Sequence, residues 1–78
     1  MMLDDALKQG KIKVGQTIRV KSVDYHYTWS GKVTNLDHDT VFYAAIKALH
    51  SSCVDQGRGC FNTSVSKYKV LRINGRFA

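Results

Sequence analysis

Apolar residues open the chain at Leu3, Ala6 and Leu7, the i, i+3, i+4 spacing of one helix face. Asp4 and Lys8 form an i, i+4 pair in the favourable order, and Gly10 is a natural stop. A helix over 2–9 follows, too short to persist alone, so its Leu face must dock. Over 16–23 the period changes to two. Ile18 and Val20 face one way, Thr17, Arg19 and Lys21 the other, which is a half-buried strand. A second strand spans roughly 26–36, after a hairpin loop at Ser22–Tyr25. Trp29, Gly31 and Val33 share one of its faces, Lys32 and Thr34 the opposite one. Gly31 inside a strand marks a bend, a bulge or a close backbone approach. A turn at Asp37–Asp39 follows, where Asp bonds its own backbone.

Residues 40–50, TVFYAAIKALH, carry two patterns at once. Val41, Phe42 and Tyr43 favour strand. Ala44 to Leu49 favours helix, with Asp39 or Thr40 as N-cap. The reading leans to a strand over 40–46. Residues 50–60 are a polar loop, and 61–66 and 67–73 read as strands rich in Val, Tyr and Ile. No internal repeat or heptad is present. The chain is a single domain, 1–78, of mainly β class. The alternative is α+β, with a helix at about 40–50 packed on an antiparallel sheet.

Gly15–Ile46 contains GQTIRVKS and then WSGKVTNLDHDTVFY. Gly31 stands six positions before Asp37, with Val33 and Leu36 between them. In this the stretch resembles the first motif of the Sm/LSm family. The resemblance implies a short N-terminal helix leading into a bent, five-stranded SH3/Sm-like barrel. The Gly would let the second strand serve both sheets, and the Asp would close the next turn. Val41 stands where the family often has an RNA-binding Asn, and LRING separates Arg72 from Gly75 where the family pairs Arg with Gly. The last strand is also short. A homo-oligomer formed by edge-strand pairing is compatible with so small a core.

Composition narrows the function. The 78 residues hold 12 Lys and Arg against 6 Asp, with no Glu and no Pro, for a net charge of +6. That length excludes a TIM barrel or a Rossmann domain. An apolar fraction of 44% excludes a disordered chain. No apolar run approaches the ~20 residues of a membrane span. The start MMLDDALKQG lacks the regions of a signal peptide, so the cytoplasm is expected, with reduced cysteines. Net positive charge attracts polyanions, or merely keeps a protein soluble. The acids fill helix and turn positions in the first half, which places the positive patch at residues 58–76.

Nucleic-acid surfaces combine cations with flat groups. Tyr25, His26, Tyr27 and Trp29 cluster at the hairpin beside Lys21 and Lys32. Trp29 is the residue of this set best suited to the core. Lys67, Lys69, Arg72 and Arg76 form a second group, with Lys67 and Lys69 expected on one strand face. They read equally as a guarded edge. Arg58, in QGRG, can reach a phosphate. His50, Cys53 and Cys60, with His38, lack the CxxC of a structural zinc site, so no metal is expected and the thiols are placed in or beside the core. No catalytic fingerprint occurs, and Asp37-His38-Asp39 reads as a turn. The chain therefore reads as a small, non-enzymatic, cofactor-free binding module. Nucleic acid is the expected partner, RNA ahead of DNA. The alternative is an adaptor or inhibitor that docks on an acidic protein surface.

Overall fold

The computed structural model describes residues 1–24, 28–47 and 58–77. One short helix, α1 (Leu3–Lys8), precedes six strands. These are β1 (Thr17–Ser22), β2 (Thr28–Leu36), β3 (Thr40–Lys47), β4 (Arg58–Asn62), β5 (Tyr68–Ile73) and β6 (Arg76–Phe77). They form one antiparallel sheet in the order β4-β3-β2-β1-β5-β6. The fold is mainly β, as the alternation predicts. Two details differ from the expected five-stranded barrel. The strand count is six, and the described ladders leave the sheet open rather than closed. The α+β alternative is overturned over 40–47, where the chain is the strand β3. Its ladders to β2 and β4 decide the matter: Val41–Ala44 have cross-strand partners on both sides, and Ala45 and Lys47 continue the ladder to β2. Residues 48–50 lie outside the described part.

The core lies on one side of the sheet. Ile18 and Val20 of β1, Val33 of β2, Val41 and Tyr43 of β3, Phe61 of β4 and Val70 of β5 are all buried. Leu3 and Ala6 of α1 are wholly buried among them, which gives the six-residue helix the docking it requires. Asp4 and Asp5 occupy its first turn and Lys8 its last, in line with the helix dipole. Before α1, the Met1 carbonyl accepts a hydrogen bond from Val70 N–H at 2.8 Å, and Met2 bridges to Lys69.

The sheet curls around an aromatic cluster. Tyr43 stacks on Phe61 at 4.4 Å between ring centroids, and Phe61 meets Tyr68 at 5.0 Å. Phe61 and Tyr68 belong to β4 and β5, which are four places apart in the strand order. Trp29 is half-buried and meets both rings edge-on, at 5.8 and 6.3 Å. It packs against the buried core from the same side of the sheet, as its size suggests. Gly31 serves as a close approach within an irregular ladder. A Cβ there would stand 2.7 Å from the Tyr43 ring and 3.1 Å from the Ala44 carbonyl oxygen. The β2–β3 register shifts at Ser30/Gly31 and again between Val33 and Asn35.

Two turns complete the frame. Asp37 Oδ1 accepts the His38 N–H at 2.7 Å, the local bond expected of an Asp turn. Asp39 reaches further. Its carbonyl oxygen accepts from the Thr63 N–H and hydroxyl, and its Oδ2 from Ser64, which ties the β2–β3 turn to the β4–β5 turn. Between β5 and β6, Asn74 and Gly75 both have positive φ, 52° and 80°. This is the backbone signature of a type I′ hairpin, which Asn-Gly favours. Among the described residues, no helix is long and apolar enough to cross a membrane.

Candidate functional site

The face of the sheet opposite the core is cationic. In β1, Arg19 and Lys21 alternate with buried Ile18 and Val20 and so project outward. Lys21 stands opposite Lys69 of β5, and Arg19 opposite Arg72. Lys32 of β2 is exposed and stands opposite Thr17. Five cations therefore share one face: Arg19, Lys21, Lys32, Lys69 and Arg72. The described acids lie elsewhere, in α1 and the turns. Among the described residues the ion pairs are those of His38 with Asp37 and Asp39, so none of the five cations is neutralised by a described carboxylate.

A bulge builds this face. Plain alternation along β5 would send Lys69 and Arg72 to opposite sides. The β1–β5 register shifts between Arg19 and Val20, so Val70 pairs with Val20 but Arg72 pairs with Arg19, leaving Leu71 as the extra residue. The inserted residue re-aims everything after it. Both Lys69 and Arg72 thus point away from the core, although they are three positions apart.

The hairpin after β5 extends the face. Arg72 pairs in register with Phe77 of β6. Its guanidinium lies over the Phe77 ring, 4.4 Å from the centroid, and its Nη1 donates to the Gly75 carbonyl at 3.5 Å. Phe77 is 83% exposed. The Asn74 side chain accepts from Thr17 N–H at 2.9 Å, while Asn74 N–H donates to the Thr17 carbonyl at 2.7 Å, which anchors the hairpin to β1. A shallow depression of about 160 Å³ opens on the outer face, lined by Thr17, Ile18, Arg19, Ser30, Arg72 and Gly75.

The expected site residues divide accordingly. Lys21, Lys32, Lys69 and Arg72 come together on this face. Lys67 does not share the strand with Lys69. It lies in the coil before β5 and lines a separate groove of about 430 Å³ with Asp4 and Asp5. Arg76 sits on β6 opposite Ile73, so alternation sends it to the other side from Phe77. Arg58 is the first residue of β4 and stands opposite Ala44, within a strand rather than a loop. Tyr25, His26 and Tyr27 lie outside the described residues, as do His50 and Cys53. Cys60 is an exposed free thiol on β4 and not a core residue, because it alternates with buried Phe61. The patch is also not confined to residues 58–76. Arg19, Lys21 and Lys32 contribute to it, because the first-half acids that balance them in the sequence stand in turns and α1.

Arg19 is the residue that sequence reasoning missed as a site residue. Its outward direction is plain from the alternation of β1, but its partner Arg72 lies 53 residues away and is set by the bulge. Phe77 was missed too, although the Asn74-Gly75 dipeptide is a hairpin signal in the sequence. At the β2–β3 turn, the hydrogen bond that the His38 ring donates to the Asp37 carboxylate, with Asp39 nearby, raises the His38 pKa above its ordinary value. The His38 N–H and ring together lower that of Asp37. This pair is exposed and lies apart from the cationic face. No family model, curated protein or solved structure matches the chain.

Proposed function

We propose that this protein is a small, non-enzymatic module that binds nucleic acid, RNA ahead of DNA, on the outer face of its sheet. One observation carries the reading. Lys21 faces Lys69 and Arg19 faces Arg72 across the same ladder, with no described acid on that face. Like charges directly opposite one another destabilise a sheet. A phosphate backbone relieves that repulsion and releases its own counterions on binding. The Sm/LSm-like spacing of Gly31 and Asp37 favours RNA over DNA.

Fluorescence anisotropy with labelled single-stranded and duplex RNA and DNA tests this. Three to five phosphate contacts on a single strand give a slope of log K against log salt between about −2 and −3.5. Lys21→Ala with Lys69→Ala flattens that slope by roughly 1.4. Absence of binding at about 50 mM salt refutes the proposal.

A second reading, capture of a protein, is favoured by the β4 edge. Thr63 N–H bonds the Asp39 carbonyl, and the alternation of an antiparallel ladder then turns Phe61 and Gly59 toward β3. The backbone groups of Arg58 and Cys60 face away from the sheet. Among the described residues no strand pairs with them. Such an edge accepts an added strand. A stoichiometric protein partner retained after nuclease treatment supports this reading, and loss of the partner with the nucleic acid opposes it.

A further inference from the structure

We infer that the β1–β5–β6 corner is a single-strand subsite: a phosphate sits between Arg19 and Arg72, and the base of the adjoining nucleotide stacks on Phe77. This rests on the nucleic-acid reading of the face and adds which strand form is chosen and which residues choose it.

Three features meet at this corner. The first is the depression of about 160 Å³, which combines two guanidinium groups, from Arg19 and Arg72, with the hydroxyl-bearing Thr17 and Ser30. Guanidinium forks match phosphate oxygens in pairs, and hydroxyls complete the shell. The second is Phe77. It is 83% exposed, so it contributes little to the core, yet it is held on a two-residue strand in register with Arg72. The third is the contact between them. Arg72 covers one face of the ring at 4.4 Å, so a single side chain links phosphate recognition to the aromatic surface. The rest of the ring is open to solvent.

The geometry discriminates by strand form. An exposed ring at the rim of a cationic face can stack on a base only if that base is unpaired or splayed from its neighbours. Duplex presents phosphates to Arg19 and Arg72 but keeps its bases in the stack. Phe77 therefore adds affinity for single strands alone, while the cations serve both forms. The ribose is not read by this pair, so oligo(U) and oligo(dT) both use it.

The test uses wild type, Phe77→Ala, Phe77→Trp and Arg19→Ala. Each is titrated by anisotropy with a labelled 12-mer of oligo(U), oligo(dT) and a mixed-sequence duplex RNA. Circular dichroism confirms that each variant is folded. Phe77→Ala is expected to weaken both single strands between about 5- and 150-fold, the span of one base–aromatic stack. It leaves duplex binding and the salt slope unchanged, and Phe77→Trp restores the single-strand affinity. Arg19→Ala flattens the single-strand slope by about 0.7. If Phe77→Ala binds every ligand like wild type, or weakens duplex equally, the subsite is refuted while the cationic face stands. If wild type binds no oligonucleotide, the parent reading fails with it.

Discussion

Reversing one charge on the cationic face should stabilise the fold and weaken its binding. Lys69 is exposed and stands directly opposite Lys21, with no described carboxylate between them. Cross-strand partners hold their Cβ atoms about 5 Å apart. Two like charges roughly 6 Å apart in water repel by about 0.7 kcal/mol, and by about half that in physiological salt. Lys69→Glu turns that repulsion into an attraction of similar size, a swing of about 0.5–1 kcal/mol. For a chain of this length that raises Tm by roughly 2–8 °C. The same change removes one phosphate contact, which weakens single-strand binding about 8-fold at 50 mM salt and flattens the salt slope by about 0.7. Thermal denaturation followed by circular dichroism reads the first effect, and anisotropy the second. The gain in Tm should vanish near 1 M salt, where the screening length is about 3 Å. Lys21→Glu combined with Lys69→Glu restores the repulsion with opposite sign, so the double variant returns toward wild-type stability and binds least of all. A Lys69→Glu variant with lowered Tm at low salt, or with undiminished affinity, would refute the reasoning.

Other consequences are equally direct. Gly31→Ala places a methyl group against Tyr43, which Phe61 holds in a stack, so overpacking outweighs the entropic benefit and costs about 1–2 kcal/mol in urea denaturation. Leu3→Ala empties a wholly buried site beneath α1 and costs about 2–5 kcal/mol by the same measurement. His38 should titrate above the ordinary imidazole value in an NMR pH series, and Asp37→Asn should bring it down. Because its folded pKa is raised, the stability this histidine adds is present below about pH 6.5 and is lost as pH rises through the raised value. The contribution of Asp37 runs the other way, present above its ordinary carboxylate range and lost as pH falls through the lowered one.

Local periodicity carried most of the strand reading. The alternation of Ile18 and Val20 with Arg19 and Lys21 is visible in sequence and is what β1 shows. The same holds for Gly31 and Val33 against Lys32 in β2. Residues 40–47 were harder, because AAIKAL has helical propensity while VFY does not. Pairing with β2 and β4 overrides propensity there, and those partners are non-local. The candidate face was half legible. Which cations point outward on β1 and β2 follows from a period of two. Which residues of β5 join them depends on a bulge at Leu71, and one inserted residue inverts every later assignment. Arg72 therefore neighbours Lys67 and Arg76 in sequence but stands with Arg19 in space. The β5–β6 hairpin is legible in the Asn74-Gly75 dipeptide, which favours a type I′ turn.

Trp29 is the chain's sole tryptophan, and it lies on the core side, edge-on to Phe61 and Tyr68. The molecule thereby carries an emission probe for the integrity of its interior, on the side of the sheet away from Arg19 and Arg72. Intrinsic fluorescence will report whether the chain is folded, and a dye on the oligonucleotide will report whether the face is occupied. The two optical channels are separated by the thickness of one sheet, so a variant that loses its ligand can be told from one that has lost its shape in a single cuvette.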